Sequence, residues 1–361
     1  MNRPFSIESA ASRRIMGSMD QFSSNPAPSS SKKTVAIVLL GALALALIAA
    51  WLYPASRAYL KDSLARAAQV FGAHVVAEAS GTIYVSLASV DDARSSYLNA
   101  FALDAATGKS MPLLDATNTD YYAPAFSPDG STVALVESTG ATSSIDFAYA
   151  PGSDGRLTIQ KRFVTSTADP SYPVWSADGS AVTYSAPASS GVDSDDPDNW
   201  NSYLMNVSDG SERWMATGAY PTFTPDGTIM LLRKDGLHLI YSNGQTATDT
   251  LAWKVENGVA VTNMRYAISP DGTAIAWAFP DLDKVYLLSV SSWNPFSASI
   301  STISDGAELS LPVFSPDGKF IALFDASKNR VQVLDRSTSA LTPLFDTTAY
   351  YPQGVFISDW R

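Results

Sequence analysis

Ser127-Pro128-Asp129-Gly130 recurs unchanged as Ser269-Pro270-Asp271-Gly272 and Ser315-Pro316-Asp317-Gly318. Two looser copies, Ser176-Ala177-Asp178-Gly179 and Thr224-Pro225-Asp226-Gly227, fill the gap between the first and second. The first residues of the five copies lie 49, 48, 45 and 46 positions apart. In such a turn the Ser or Thr accepts a local backbone bond, Pro presets its own φ, Asp bonds backbone, and Gly takes the position where φ turns positive. An apolar residue precedes each turn (Phe126, Trp175, Phe223, Ile268, Phe314). The stretch after it alternates, as in Val133 and Leu135, Val182 and Tyr184, Ile275 and Trp277, Ile321 and Leu323. Each copy therefore reads as a hairpin between antiparallel strands. A period in the forties with one hairpin per repeat is the signature of propeller blades set around an axis.

The two ends of the chain complete the count. Ser80-Gly81-Thr82-Ile83-Tyr84-Val85 reads as a strand that follows a turn, with no turn before it. Gly354-Val355-Phe356-Ile357-Ser358-Asp359-Trp360 aligns with Pro312-Val313-Phe314-Ser315-Pro316-Asp317-Gly318 and reads as a strand that precedes one. Pairing the last strand with residues 82–87 makes it the innermost strand of the first blade, which closes the ring and protects a sheet edge. The expectation is an all-β, six-bladed β-propeller over residues 81–361, about 47 residues per blade.

On these residues the chain resembles the six-bladed TolB-type propeller family, with its WD40-like repeats. Besides the five Ser/Thr-x-Asp-Gly turns, Pro124, Pro173, Pro221 and Pro312 stand three residues before four of them. Residues 97–108, an alternating strand closed by Asp104-Ala105-Ala106-Thr107-Gly108, fit as well. The likeness covers the propeller and none of the first 80 residues, and two positions depart from it. Tyr266 replaces the Pro, and Trp360 stands where Gly is expected. The resemblance implies a non-enzymatic propeller that binds envelope proteins.

The front of the chain places the propeller. Residues 34–53 form an uncharged stretch rich in Ala, Leu, Ile and Val, long enough to cross roughly 30 Å of hydrocarbon as one helix. Arg3, Arg13, Arg14, Lys32 and Lys33 outweigh Glu8 and Asp20 before it, and Trp51 and Tyr53 mark its other end. The positive-inside rule then predicts a signal anchor in the cytoplasmic membrane, N-terminus inside, with the propeller periplasmic or extracellular. A cleaved signal peptide is the alternative, although its apolar core usually runs to only about 7–15 residues. Residues 1–33, rich in Ser and Pro, read as a disordered cytoplasmic tail. Residues 54–80 read as an amphipathic stalk, with Leu60, Leu64, Ala67, Phe71 and Val75 at helical spacing. The stalk either docks on the propeller or lies on lipid.

Charge excludes some functions. The chain carries −11, the first 33 residues +3 and residues 54–80 +1, which leaves −15 on the propeller. That balance argues against nucleic acid as a partner. No Cys is present, so disulfides, thiol catalysis and Cys-ligated zinc are out. His74 and His238 are the only histidines, the second in the alternating run Leu237-His238-Leu239 of a strand. No Gly-x-Ser-x-Gly elbow, phosphate loop or His-Glu-x-x-His motif occurs. The chain is therefore read as a non-enzyme without a cofactor. One metal candidate stands out: Asp193, Asp195, Asp196 and Asp198 supply the hard oxygens that Ca²⁺ prefers, without the spacing of an EF-hand loop. A solvated acidic loop is the alternative.

Propeller topology points to a site. The turns carrying Asp129, Gly130, Asp178, Gly179, Asp226, Gly227, Asp271, Gly272, Asp317 and Gly318 share one face and serve folding. The opposite face gathers Tyr122, Tyr172, Tyr220, Arg265, Tyr350 and Tyr351 just ahead of innermost strands, around the mouth of the central channel. Tyr beside Arg with an acidic rim suits recognition of an envelope protein or peptide; packing between blades is the competing role for these rings. A Ca²⁺- or carboxylate-based enzyme acting on sugars, lactones or phosphoesters is the alternative function. It would need acidic side chains on innermost strands, and residues 123–126, 172–175, 220–223 and 311–314 contain none.

Overall fold

Each repeat folds into one four-stranded antiparallel sheet. The computed structural model describes residues 79–89, 98–114, 119–139, 142–152, 155–167, 169–189, 196–242, 247–255 and 265–361. The expected tail 1–33, the span 34–53 and nearly all of the stalk 54–80 lie outside them. Among the described residues no helix is long and apolar enough to cross a membrane. Blade 1 contains β1 (Thr82–Ser89), β2 (Leu98–Asp104) and β3 (Ser110–Pro112). Blade 2 is β4 (Asp120–Phe126), β5 (Thr132–Ser138), β6 (Ser143–Tyr149) and β7 (Thr158–Val164). Blade 3 is β8 (Ser171–Trp175), β9 (Ala181–Pro187), β10 (Trp200–Asn206) and β11 (Glu212–Thr217). Blade 4 is β12 (Ala219–Phe223), β13 (Ile229–Arg233), β14 (Gly236–Ser242) and β15 (Ala247–Lys254). Blade 5 is β16 (Arg265–Ile268), β17 (Ala274–Phe279), β18 (Lys284–Trp293) and β19 (Phe296–Asp305). Blade 6 is β20 (Leu309–Phe314), β21 (Phe320–Asp325), β22 (Arg330–Asp335) and β23 (Leu341–Asp346). The last strand, β24 (Tyr350–Trp360), pairs with β1 as the innermost strand of blade 1, from Ile83 opposite Trp360 to Leu87 opposite Val355. The ring therefore closes as the sequence predicts, with six blades.

The repeated turn explains itself in hydrogen bonds. In all five copies the Gly amide donates to the carbonyl of the first residue at 2.8–2.9 Å, and the Gly φ lies between 68° and 83°. The Ser or Thr hydroxyl donates to the Asp carboxylate at 2.5–2.8 Å. That carboxylate accepts the amide two residues on, as from Ser131 at 3.0 Å. In the four Ser copies the hydroxyl oxygen also accepts the amide five residues on, at 2.9–3.0 Å. Thr224 instead donates to the Thr228 carbonyl. The first residue of each turn is buried while the Asp stays at the surface.

Blades pack face to face, so their second strands are buried on both sides; β17 and β21 are buried at every position. An apolar cluster fills each interface between consecutive blades, from Val133, Leu135 and Tyr84 between blades 1 and 2 to Val331, Phe324 and Ile357 between blades 6 and 1. Inner strands leave backbone groups facing the channel, and a buried polar group without a partner is costly. Side chains from adjacent blades satisfy them. Trp175 Nε1 donates to the Ala125 carbonyl at 2.9 Å, and the buried Tyr266 hydroxyl lies 2.7 and 2.8 Å from the Tyr220 and Met230 carbonyls. Asp359 accepts the Phe126 amide at 2.9 Å while Arg361 donates to the Phe126 carbonyl at 2.8 Å. Carboxylates thus do occur on innermost strands, Asp120 on β4 and Asp359 on β24, outside the segments the sequence reading considered.

The Pro three residues before the turn marks a bulge that the turn motif alone does not reveal. Ala123, Tyr172, Tyr220 and Leu311 each precede that Pro and each hold φ of 51–55°. At the same place the pairing of the first two strands slips in blades 2, 3, 4 and 6. Blade 5, with Tyr266 in place of Pro, pairs without a slip. Pro lacks the N–H that a ladder needs, so the chain bulges around it.

Candidate functional site at the channel mouth

Two of the nominated side chains stand at bulges. Tyr172 and Tyr220 stand at equivalent positions of β8 and β12, and Arg265 opens β16. The two tyrosine rings meet edge to face with centroids 5.2 Å apart. The Arg265 guanidinium carbon lies 3.6 Å from the Tyr220 centroid and 5.3 Å from that of Tyr172, within the range where a ring face attracts a cation. From blade 1, Phe356 of β24 reaches Tyr172 at 6.0 Å and Tyr122 at 6.4 Å. Four of the sequence-nominated residues, Tyr122, Tyr172, Tyr220 and Arg265, are therefore brought together from blades 2 to 5, and Phe356 joins them. Phe356 lies in the segment aligned with an inner strand, so the alignment held the signal for it.

Beside this cluster lies a hollow of about 240 Å³ lined by Leu98, Asp120, Tyr122, Ala123, Ser138, Asp169, Ser171, Tyr172 and Phe356. Asp120 enters on the first residue of β4 and accepts the Leu98 amide at 2.7 Å. Asp169 is exposed, ahead of Pro170, with φ of 51°. The Tyr122 hydroxyl donates to the Pro170 carbonyl at 3.0 Å. Burial, with the Asp169 and Asp120 carboxylates nearby, pushes that hydroxyl well above the ordinary tyrosine range, so it stays a neutral donor. The Tyr172 hydroxyl oxygen is buried with no hydrogen-bond partner among the described residues.

Other nominated residues are placed elsewhere. Tyr350 packs between Phe101 of blade 1 and Phe345 of blade 6, at 6.1 and 6.2 Å, an inter-blade role away from the cluster. The Tyr351 side chain lies outside the described residues, as do His74, Asp193 and Asp195. Asp196 caps a short 3-10 helix, Pro197–Asn199, and pairs with Lys234; Asp198 accepts the Lys234 amide at 3.1 Å. These two carboxylates tie blade 3 to blade 4. Among the described residues no three His, Asp or Glu side chains form a metal-ligand group. His238 sits on β14 between Asp249, 2.7 Å from Nδ1, and Asp235, 2.7 Å from Nε2. Asp249 also pairs with Arg233 at the edge of a second hollow of about 470 Å³, which the exposed Trp214 borders.

No protein-family pattern matches the chain, and no curated protein sequence does. Solved structures do match. TolB from Acinetobacter baumannii aligns with a TM-score of 0.56 at 19% identity, over 78% of this chain and 66% of that one. A chain of a nidogen/laminin complex aligns at 0.55 and 14% identity, over 77% and 98%. A protein from Lactobacillus plantarum aligns at 0.51 and 15%, over 73% and 81%. The chain thus spans just under two thirds of the TolB structure. At these identities the likeness establishes the propeller fold.

Proposed function

We propose that this chain is a membrane-tethered, exported propeller that binds a protein or peptide of the cell envelope at its channel mouth and performs no catalysis. The observation that carries the reading is the convergence of Tyr122, Tyr172, Tyr220 and Phe356, with Arg265 against two of the rings, beside an open hollow. Tyr and Arg anchors in a partly desolvated pocket are the groups that dominate protein recognition. The fold is shared with TolB and with a propeller seen in a nidogen/laminin complex, which supports a binding role by analogy alone. The membrane anchor rests on the uncharged stretch 34–53 and the basic residues before it.

Crosslinking in intact cells followed by pull-down of the full chain tests the reading. The double variant Tyr172→Ala/Tyr220→Ala is expected to lose the captured partner at least tenfold while retaining a cooperative melt. Undiminished capture by a folded variant contradicts the proposal.

A further inference from the structure

The hollow at the mouth has a chemistry more specific than recognition in general. Its walls combine three aromatic rings, Tyr122, Tyr172 and Phe356, with two carboxylates, Asp120 and Asp169, and two hydroxyls, Ser138 and Ser171. Among the described residues no Lys or Arg lines it. Ring faces and carboxylates together favour a cation, and the favourable energy rises once water is displaced. The chain shows the arrangement internally: Arg265 lays its guanidinium over Tyr220 and near Tyr172. Tyr172, one of the lining residues, carries a buried hydroxyl oxygen that has no partner among the described residues. About 240 Å³ is below the 300–1,000 Å³ typical of small-molecule sites and suits one long side chain. The propeller's net −15 draws a basic segment toward it.

We infer that the hollow lined by Asp120, Asp169, Tyr122, Tyr172 and Phe356 is the seat for an arginine or lysine side chain of the bound protein. The inference rests on the proposed binding role and names the chemistry of its partner. Its test uses the full-length chain in detergent and three peptides: acetyl-Gly-Arg-Gly-amide, acetyl-Gly-Lys-Gly-amide and acetyl-Gly-norleucine-Gly-amide. Ligand-observed NMR with up to 10 mM peptide is expected to show the two basic peptides binding at least tenfold tighter than the norleucine peptide. Asp169→Asn, at an exposed position that carries no fold contact through its carboxylate in the described structure, is expected to weaken them at least fivefold. Tyr172→Phe, which removes only the hydroxyl, is expected to weaken them by a smaller factor. Equal binding of the norleucine peptide, no binding of any peptide, or indifference to Asp169→Asn in a protein that melts normally overturns the inference. Partner capture in cells is read separately, so its persistence alongside failed peptide binding removes the cation seat and leaves the binding role standing.

Discussion

Ala123, Tyr172, Tyr220 and Leu311 share a left-handed backbone, with φ of 51°, 54°, 55° and 55°, at the same place in four blades. For a residue with a Cβ that conformation costs about 1–2 kcal/mol, so the surrounding packing holds it. Ala123→Gly is accordingly expected to stabilise the fold by up to about 1 kcal/mol, measured by urea unfolding; a destabilisation of similar size contradicts the strain. Tyr266→Phe tests the substitute used in blade 5. Its hydroxyl lies within hydrogen-bonding distance of two backbone carbonyls, and its loss leaves an acceptor short, at a cost of about 1–3 kcal/mol. The turn aspartates contribute to stability in acid. Hydrogen bonds from Ser127 and Ser131 hold the Asp129 carboxyl down to about 2, and those from Ser176 and Ser180 do the same for Asp178. Because the folded value lies below the unfolded one of about 3.9, this contribution is complete above about pH 4 and disappears as pH falls toward 2. Asp129→Asn/Asp178→Asn should flatten the pH dependence of the unfolding midpoint between pH 4 and 2, and a profile parallel to the native one contradicts the assignment.

Among the elements, β24 carries the closure of the ring. Val355, Ile357 and Trp360 are buried with the blade 6 and blade 1 core, and Trp360 Nε1 donates to the Ser80 carbonyl at 2.9 Å. Trp360→Ala is expected to cost about 3–5 kcal/mol, and a chain lacking residues 350–361 to lose its cooperative transition and aggregate through the uncovered β1 edge. An unchanged melt of that truncation would sink the closure account. This element was legible in the sequence because its alignment with residues 312–318 is local, and so were the turns, whose Ser, Asp and Gly each meet a local demand. The bulges were half legible. Pro124, Pro173, Pro221 and Pro312 announce a missing donor, but the left-handed residue before each depends on pairing with a strand beyond the turn. The mouth was less legible still. Tyr172 and Tyr350 look alike in sequence, yet the first meets Tyr220, Phe356 and Arg265 and the second packs between Phe101 and Phe345. His238 was legible as a strand residue, but its two carboxylate neighbours were not, because Asp235 and Asp249 reach it from a turn and a neighbouring strand.

For the whole molecule, six blades place the five repeated Ser/Thr-x-Asp-Gly turns at one end of the inner strands and the aromatic cluster at the other. On the proposed reading, folding and binding are thereby separated along the axis. β8 shows both ends within a few residues: Ser171 lines the hollow at the mouth, and Ala177 is exposed in the turn on the far side. A photo-crosslinking amino acid is placed at each position in turn, in the full chain within intact cells, and the adducts are compared by mass after irradiation. The binding account predicts a discrete protein adduct from position 171 and none from position 177. No adduct from 171, or equal adducts from both positions, would contradict it.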